Sequence, residues 1–306
     1  MLNRKPIFIV AFAYGGSNIL LNLLRSHPEV CSPRGETNEV FMGKIDEPLA
    51  ARWAKRLRYF PCVVAERKNI FSWRNWQPRR PLKAFTQRVV DRILFDEKLR
   101  ARDGSQNLYK YENVEYTEEE INSARLLCKS LDGLIYLTTE FARMYPDATF
   151  LALVRNGLAV CEGHIRRGHK VEEIARNYEN ACRVMIEHSR TIPNYHLIRY
   201  EDLIAQPLET LKKIYEWAGL DLGLVKKVRL QAKRVLEKDG SHKIILNRDF
   251  KEVIWYDLDE FGKHFRKDTN KNQIERLTED QKAVILHTCR SSLEHFGYLK
   301  PVAVTA

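Results

Sequence analysis

A run of strand-forming residues that breaks into two glycines constrains this chain more than any other feature. Lys5 to Asn18 reads KPIFIVAFAYGGSN. Ile7, Phe8, Ile9, Val10 and Phe12 form a near-continuous apolar run, the pattern of a parallel strand covered on both faces. Gly15 and Gly16 permit a tight turn and close approach of a ligand, Ser17 or Asn18 is placed to act as N-cap, and Ile19 to Leu24 continues as an apolar helix. Uncapped amides at such a helix start attract anions, so the segment is the sequence of a phosphate-binding loop. An ordinary strand-to-helix turn of an α/β domain reads the same way.

The rest of the chain repeats the alternation. Thr149 to Val154 is a second buried strand, followed by Arg155-Asn156-Gly157 and a helix through Arg167. Val171 to Arg190 is an amphipathic helix, Tyr195 to Tyr200 a third strand, and Leu208 to Ala218 a helix stopped by Gly219. Thr117 with Glu120 makes a capping box for the helix after it. Apolar spacing predicts helices over Asp46 to Tyr59 and Pro81 to Asp103, with Val63 to Ala65 as a short strand between them. The last third is predicted helical, apart from an irregular stretch from Asp239 to Asp257, with a closing helix from Glu279 to Phe296. Strands alternating with helices imply a parallel sheet covered on both faces. The fold class is therefore α/β, with a P-loop-like central parallel sheet flanked by helices and a helix-rich C-terminal third. No internal repeat or linker interrupts the chain, so residues 1–306 are expected to be one domain.

Composition narrows the partners. Six cysteines are scattered without a CxxC pair, which signals neither a zinc cluster nor a dithiol redox site and fits a reducing compartment. No metal is implied: His188 and His196 lack carboxylate or cysteine partners at ligand spacing, and His164 and His169 are five apart. No apolar stretch approaches the roughly 20 residues needed to span a bilayer, and the first strand begins too early for a cleaved signal, so a cytoplasmic protein is expected. The formal net charge of +11 favours anionic partners: a phosphorylated cofactor, a nucleic acid, an acidic glycan or a membrane surface. A nucleic-acid reading would use the Phe71, Trp73 and Trp76 rings among Arg74, Arg79 and Arg80, though no recognition-helix, OB or RNA-binding pattern accompanies them. A solvated mini-core or a lid over an acceptor would look the same.

Two common nucleotide chemistries are excluded. Gly43-Lys44 and Gly262-Lys263 are followed by Ile45 and His264, so no GxxxxGK[ST] occurs, and GxGxxG is absent after the first strand.

Three ordered pieces together resemble the sulfotransferases that use 3′-phosphoadenosine 5′-phosphosulfate (PAPS). AYGGSNILLNLLRSHPEV, Ala13 to Val30, is similar to that family's 5′-phosphosulfate loop, helix and following His-Pro. FLALVRNGLAVCEGHIRRG, Phe150 to Gly168, is similar to its 3′-phosphate segment, and IRYEDLIAQPLETLKKIYEWAGLDL, Ile198 to Leu222, to its structural half. The resemblance covers about residues 6 to 222, more weakly through Asn247-Arg248. It implies transfer of a sulfuryl group from PAPS to an acceptor hydroxyl, leaving 3′,5′-adenosine bisphosphate (PAP). Such a transfer needs in-line alignment and stabilised charge on the leaving phosphate. The resemblance assigns the 5′ end to the Gly15, Gly16, Ser17 and Asn18 segment, the 3′-phosphate to Arg155 and Gly163, and a second wall to Asn247 and Arg248. Glu36, in Gly35-Glu36-Thr37, stands near where heparan-sulfate and tyrosylprotein members carry a catalytic glutamate, and is the candidate general base. His164 or His169 is the alternative, as in members that use a histidine.

Two positions depart from the family pattern. Tyr14 stands where most members place a Lys or Arg; a phenol donates one hydrogen bond but brings no charge, and Arg34, Arg67 or Lys68 is then expected to supply it. Gly163 stands where a serine commonly holds the 3′-phosphate, with His164, Arg166 or Arg167 as compensating groups. These departures also motivate a second reading, a catalytically weakened PAP-binding protein of the same fold. The acceptor is read only as hydroxyl-bearing: the charge favours an acidic glycan, lipid or peptide, and the aromatics a flat or apolar molecule. Tyr109, Tyr111 and Tyr116 among acids even resemble a sulfation target. Oligomeric state is not legible.

Overall fold

In the computed structural model, which describes residues 5–33, 36–37, 40, 48–54, 81–101, 116–231, 234–236, 242–244 and 253–299, the opening apolar run is the central strand of the sheet. This strand, β1 (Ile7–Ala11), pairs in parallel with β3 (Arg125–Leu131) on one side and β4 (Thr149–Val154) on the other. β2 (Val30–Cys31) and β5 (Tyr195–Arg199) complete a five-stranded sheet in the order β2-β3-β1-β4-β5, parallel throughout. Alternation along β1 assigns its side chains to two cores. Ile7, Ile9 and Ala11 pack with α1 (Ser17–Arg25) and with the helix Pro207–Ala218, whereas Phe8, Val10 and Phe12 face the helices Gly157–Ile165 and Val171–Thr191. Burial on both faces explains why the run is continuous rather than alternating. Phe8 stacks on Phe141 and Phe150 with ring centroids 4.8 and 5.2 Å away. Truncating so enclosed a ring costs roughly 3–5 kcal/mol.

The expected α/β architecture is what forms, with four differences in detail. β3 goes unread in the sequence because Arg125 and Lys129 interrupt its apolar pattern, yet all seven of its residues are buried. Arg125 is accommodated by donating to the carbonyls of Lys5 (2.7 Å) and Ala218, and Lys129 is held by side chains at the sheet's carboxyl edge, described below. Second, neither Ser17 nor Asn18 caps α1: the N-cap is Gly16, with no side-chain cap, and Ser17 begins the helix. Third, the closing helix breaks at Cys289 into Glu279–Thr288 and Arg290–His295. Fourth, the stretch expected to be irregular contains Val253–Tyr256, antiparallel to Val228–Gln231, and His242–Ile244, antiparallel to Arg234–Leu236.

The capping box forms as expected, with Glu120 N–H donating to the Thr117 hydroxyl and Thr117 N–H to the Glu120 carboxylate. Its helix, Glu118–Ser123, is a short lead-in to β3. Gly219 closes Pro207–Ala218 in the left-handed region, φ 61°. Val63 to Ala65 and the Phe71 to Arg80 cluster lie outside the described residues.

Candidate active site

The loop after β1 turns back sharply at the carboxyl edge of the sheet. Gly15 N–H donates to Phe12 O (3.1 Å) and Ile19 N–H to Gly16 O (2.9 Å). Gly16 has φ 91°, and a Cβ there would lie 2.3 Å from the Tyr200 ring, so conformation and packing both require glycine. α1 has no acidic residue in its first turn and no side-chain cap, so its dipole and amides present a positive end to this edge. Ala13 N–H donates to the Asp132 carboxylate (2.9 Å), which ties the loop to the end of β3.

Lys129 occupies the neighbouring strand. Its ammonium donates to Asn18 Oδ1 (2.7 Å) and to Glu36 Oε1 (2.9 Å), with the Lys129 side chain 6% exposed and that of Glu36 32%. The candidate base and the loop therefore meet through one buried cation. Arg34, Arg67 and Lys68, the cations expected to stand in for Tyr14, lie outside the described residues. No motif marks Lys129 as part of a site, because its charge interrupts the apolar pattern of the buried strand that carries it.

Arg155 sits at the tip of β4, only 5% exposed. Its guanidinium donates to Tyr14 O (2.8 Å), Asn270 Oδ1 (2.8 Å) and Gln273 Oε1, and lies 4.5 Å over the Tyr200 ring. Ser17, at the start of α1, and Arg155, bonded to the loop at Tyr14 O, thus lie at the same edge of the sheet, both buried. Burial pulls Arg155 below the usual guanidinium value, with Tyr200 and Glu201 opposing. All three acceptors are neutral; Glu201 acts one step removed, holding Asn270 Nδ2 (2.6 Å), the Asn156 amide (3.0 Å) and Tyr298 OH (2.6 Å). Asn270 and Gln273 belong to Thr269–Ile274, a helix that no motif in the sequence points to. Asn247 and Arg248, expected to form the second wall, lie outside the described residues.

Tyr14 adopts a left-handed backbone, φ 63°, rare for a residue with a side chain. Its side chain lies against Gly163, where a Cβ would come within 2.8 Å of Tyr14 Cβ. The Arg167 guanidinium covers the ring at 3.9 Å and donates to Gly163 O (2.8 Å). His164 meets the same ring edge-on at 4.8 Å, and His169 meets His164 at 5.5 Å. Among the described residues no carboxylate pairs directly with Arg155 or Arg167. The edge therefore carries a helix start, one lysine shared with a carboxylate, and two arginines on neutral partners, an arrangement suited to a multiply charged anion.

The sheet and its loop define an α/β protein of the phosphate-loop class. Within that class the chain belongs to the sulfotransferase family: a profile described as "Sulfotransferase family" matches residues 6–223, and one described as "Sulfotransferase domain" matches 166–297. Its chemistry is accordingly sulfuryl transfer. Among solved structures it is similar to the sulfotransferase domain from the Synechococcus PCC 7002 olefin synthase, at 17% identity and TM-score 0.53 over 98% of each chain. It is also similar to the sulfotransferase domain from the curacin biosynthetic pathway, at 15% identity and TM-score 0.50 over 98% of this chain and 100% of that one. At these identities the likeness is one of fold. No curated protein matches the chain. Among the described residues no helix is long and apolar enough to cross a membrane, and no group of His, Cys, Asp or Glu is placed to hold a metal ion.

Proposed function

We propose that the protein transfers a sulfuryl group from PAPS to an acceptor hydroxyl, with Glu36 as general base and PAP as product. The observation that carries this reading is the position of Lys129, 2.9 Å from Glu36 Oε1 and 2.7 Å from Asn18 Oδ1. It supplies at the loop the charge that Tyr14 lacks and joins that charge to the base. PAPS brings a sulfuryl group already activated on a phosphate leaving group. The amides of Gly15, Gly16, Ser17 and Asn18 hold the 5′ end, with the Ser17 hydroxyl as a further donor. Arg155 and Arg167 flank Tyr14 and take the 3′-phosphate, Arg167 replacing the hydroxyl that Gly163 lacks. Glu36 accepts the acceptor's proton as the acceptor oxygen bonds to sulfur, and the bond from sulfur to the bridging phosphate oxygen breaks. Lys129 and the loop amides stabilise the charge arriving on that oxygen. Tyr14 shapes the site as a spacer between the two arginines and the loop.

Lys129 and Arg167 answer the two departures that motivated a weakened PAP-binding protein, and membership of the family sets the nucleic-acid reading aside. The overlapping matches across residues 6–297 support a single domain spanning 1–306. The free, buried cysteines Cys31, Cys128, Cys161, Cys182 and Cys289 support a cytoplasmic location.

Thermal melting with PAP beside AMP, ADP and ATP at equal concentration tests the donor. At about 100 times its dissociation constant a ligand stabilises the native state by roughly 2.7 kcal/mol. Preference for PAP is the expected result; an equal response to AMP would remove the 3′-phosphate from the reading.

A further inference from the structure

Asn270 and Gln273, the two amides bound to Arg155, each meet a carboxylate on their other side. Asn270 Nδ2 donates to Glu201 Oε1 (2.6 Å) while its Oδ1 accepts from Arg155 Nε (2.8 Å). Gln273 Nε2 donates to Glu162 Oε2 (2.9 Å) and to Ala159 O (3.2 Å), while its Oε1 accepts from Arg155 Nη2. Two chains of the same form, carboxylate to amide to guanidinium, therefore end on two nitrogens of one arginine. Glu201 comes from the helix Tyr200–Ala205 that follows β5, Glu162 from Gly157–Ile165 that follows β4, and both amides from Thr269–Ile274.

The chemistry of the three groups leaves each amide one orientation. A guanidinium only donates and a carboxylate only accepts, so the carbonyl oxygen must face Arg155 and the NH2 group the glutamate. An amide that lost its carboxylate could turn over and set its NH2 against the guanidinium, donor against donor. The carboxylates are themselves fixed. Glu201 also accepts from the Asn156 amide (3.0 Å), next to Arg155 in the chain, and from Tyr298 OH (2.6 Å). Glu162, 3% exposed, gives its Oε1 to Arg276 (3.2 Å) and Arg166 (3.3 Å).

The interposed amides also set the charge that a ligand meets. A carboxylate bonded directly to Arg155 would form a bidentate pair with which a phosphate would have to compete. At one remove the glutamates leave the direct partners of the guanidinium neutral. Burial lowers the Arg155 pKa, and Glu201 and Glu162 still act against that shift, as do Tyr200 and Tyr298.

We propose that Glu162 and Glu201 are positioning residues of the 3′-phosphate site: through Gln273 and Asn270 they fix the Arg155 guanidinium in the orientation that the phosphate meets, without pairing with it. The inference rests on the reading of Arg155 given above and deepens it by naming what sustains the discrimination between PAP and AMP.

The test is equilibrium titration of PAP and AMP against the full chain and its variants, with the melting temperature of each unliganded protein recorded. Glu201→Gln and Glu162→Gln each remove a negative charge from the neighbourhood of the phosphate, so the field alone would tighten PAP. Loss of orientation predicts the opposite. The preference for PAP over AMP should fall at least about fivefold in each variant, the size of roughly one net hydrogen bond, with AMP affinity held within about twofold. Asn270→Ala should reproduce Glu201→Gln, and the double variant should be no worse than the poorer single one, because the two residues act in series. If PAP and AMP weaken equally as the melting temperature falls, the carboxylates are structural only and the inference is overturned. Tighter PAP binding in either variant, or additive losses in the double variant, overturns it as well. Should Glu201→Gln show no cooperative melt, Glu162→Gln, which spares the Asn156 amide and Tyr298, decides alone. A wild type without preference for PAP gives a different signal, since it removes the 3′-phosphate from Arg155 and takes this inference with it.

Discussion

Gly163 and Tyr14 touch so closely that a Cβ on the glycine would lie 2.8 Å from the Cβ of the tyrosine. The two departures from the family pattern are therefore a single packing unit, and each explains the other: the tyrosine needs the space that a side chain at position 163 would fill. Gly163→Ser is expected to destabilise the fold by about 1–3 kcal/mol through overpacking. Tyr14→Gly removes the ring and relieves the left-handed backbone, and in that background the serine should cost little. Urea denaturation of the four proteins of the cycle measures the coupling. Strictly additive costs would show that the two residues do not constrain each other.

Lys129 joins the loop to Glu36, so its removal should act on transfer more than on folding. Lys129→Met keeps the buried aliphatic stem and deletes the ammonium. Turnover with PAPS is expected to fall about 10²-fold, the scale seen when one preorganised donor to a developing oxyanion is lost. Glu36→Gln should also lower turnover, and the double variant should be no worse than about the poorer single one, as for groups acting as a unit. A Lys129→Met enzyme with wild-type turnover would remove the lysine from the reaction.

Much of this frame can be read from residue patterns, and what escapes them does so for physical reasons. β1 and β4 stand out because both their faces are covered and, Thr149 apart, every position is apolar, and Gly219 marks a helix end because only a glycine is comfortable at φ 61°. β3 is hidden because its two charged side chains find partners only in three dimensions, Arg125 on backbone carbonyls and Lys129 on Asn18 and Glu36. Arg155 is legible from its place after a buried strand. Asn270 and Gln273, which hold it, are more than a hundred residues away and carry no motif. Glu36 could be named from its loop, but its approach to Lys129 depends on a strand pairing that no local pattern encodes. The N-cap failed for a simpler reason: Gly16 itself takes the left-handed position and leaves the first-turn amides without a side-chain partner.

His27 gives the fold a pH dependence of known sign. The ring is 1% exposed, its Nε2 lies 3.0 Å from Asp221 O, and Glu29 N–H donates to Nδ1 at 3.2 Å, which fixes the Nε2–H tautomer. Burial lowers its pKa below the usual 6.5, the Asp221 carbonyl opposing in part. The folded state therefore binds its proton less readily than the unfolded state. Its stabilising contribution is whole above pH 6.5 and is lost progressively as pH falls from there through the folded-state value. His27→Phe keeps an edge-on ring beside Tyr215 and cannot titrate. Its unfolding free energy should vary less with pH in that window, by up to about 1.4 kcal/mol per pH unit for one proton. Parallel pH profiles for the two proteins would exclude His27 as the source.

Arg155 and Arg167 flank Tyr14 but are built into the protein differently, and this separates binding from stability. Arg155 is buried and bonded to Tyr14 O, Asn270 and Gln273, so Arg155→Ala removes a guanidinium that three neutral acceptors depend on. Each buried acceptor left unsatisfied costs about 1–3 kcal/mol, and a marked fall in melting temperature is expected with any loss of PAP binding. Arg167 is exposed, resting on the Tyr14 ring with one hydrogen bond to Gly163 O. Arg167→Ala should leave the melting temperature of the unliganded protein almost unchanged. If Arg167 meets the 3′-phosphate, that variant should nevertheless lose about tenfold or more of its preference for PAP over AMP, because a charge-assisted hydrogen bond contributes about 1.5–3 kcal/mol. Arg167→Lys should recover only part of it, since an ammonium neither stacks on the ring as a plane nor presents a fork to phosphate. Titrating PAP and AMP against the three proteins decides the matter: an undiminished PAP preference in Arg167→Ala would leave Arg155 alone in that role.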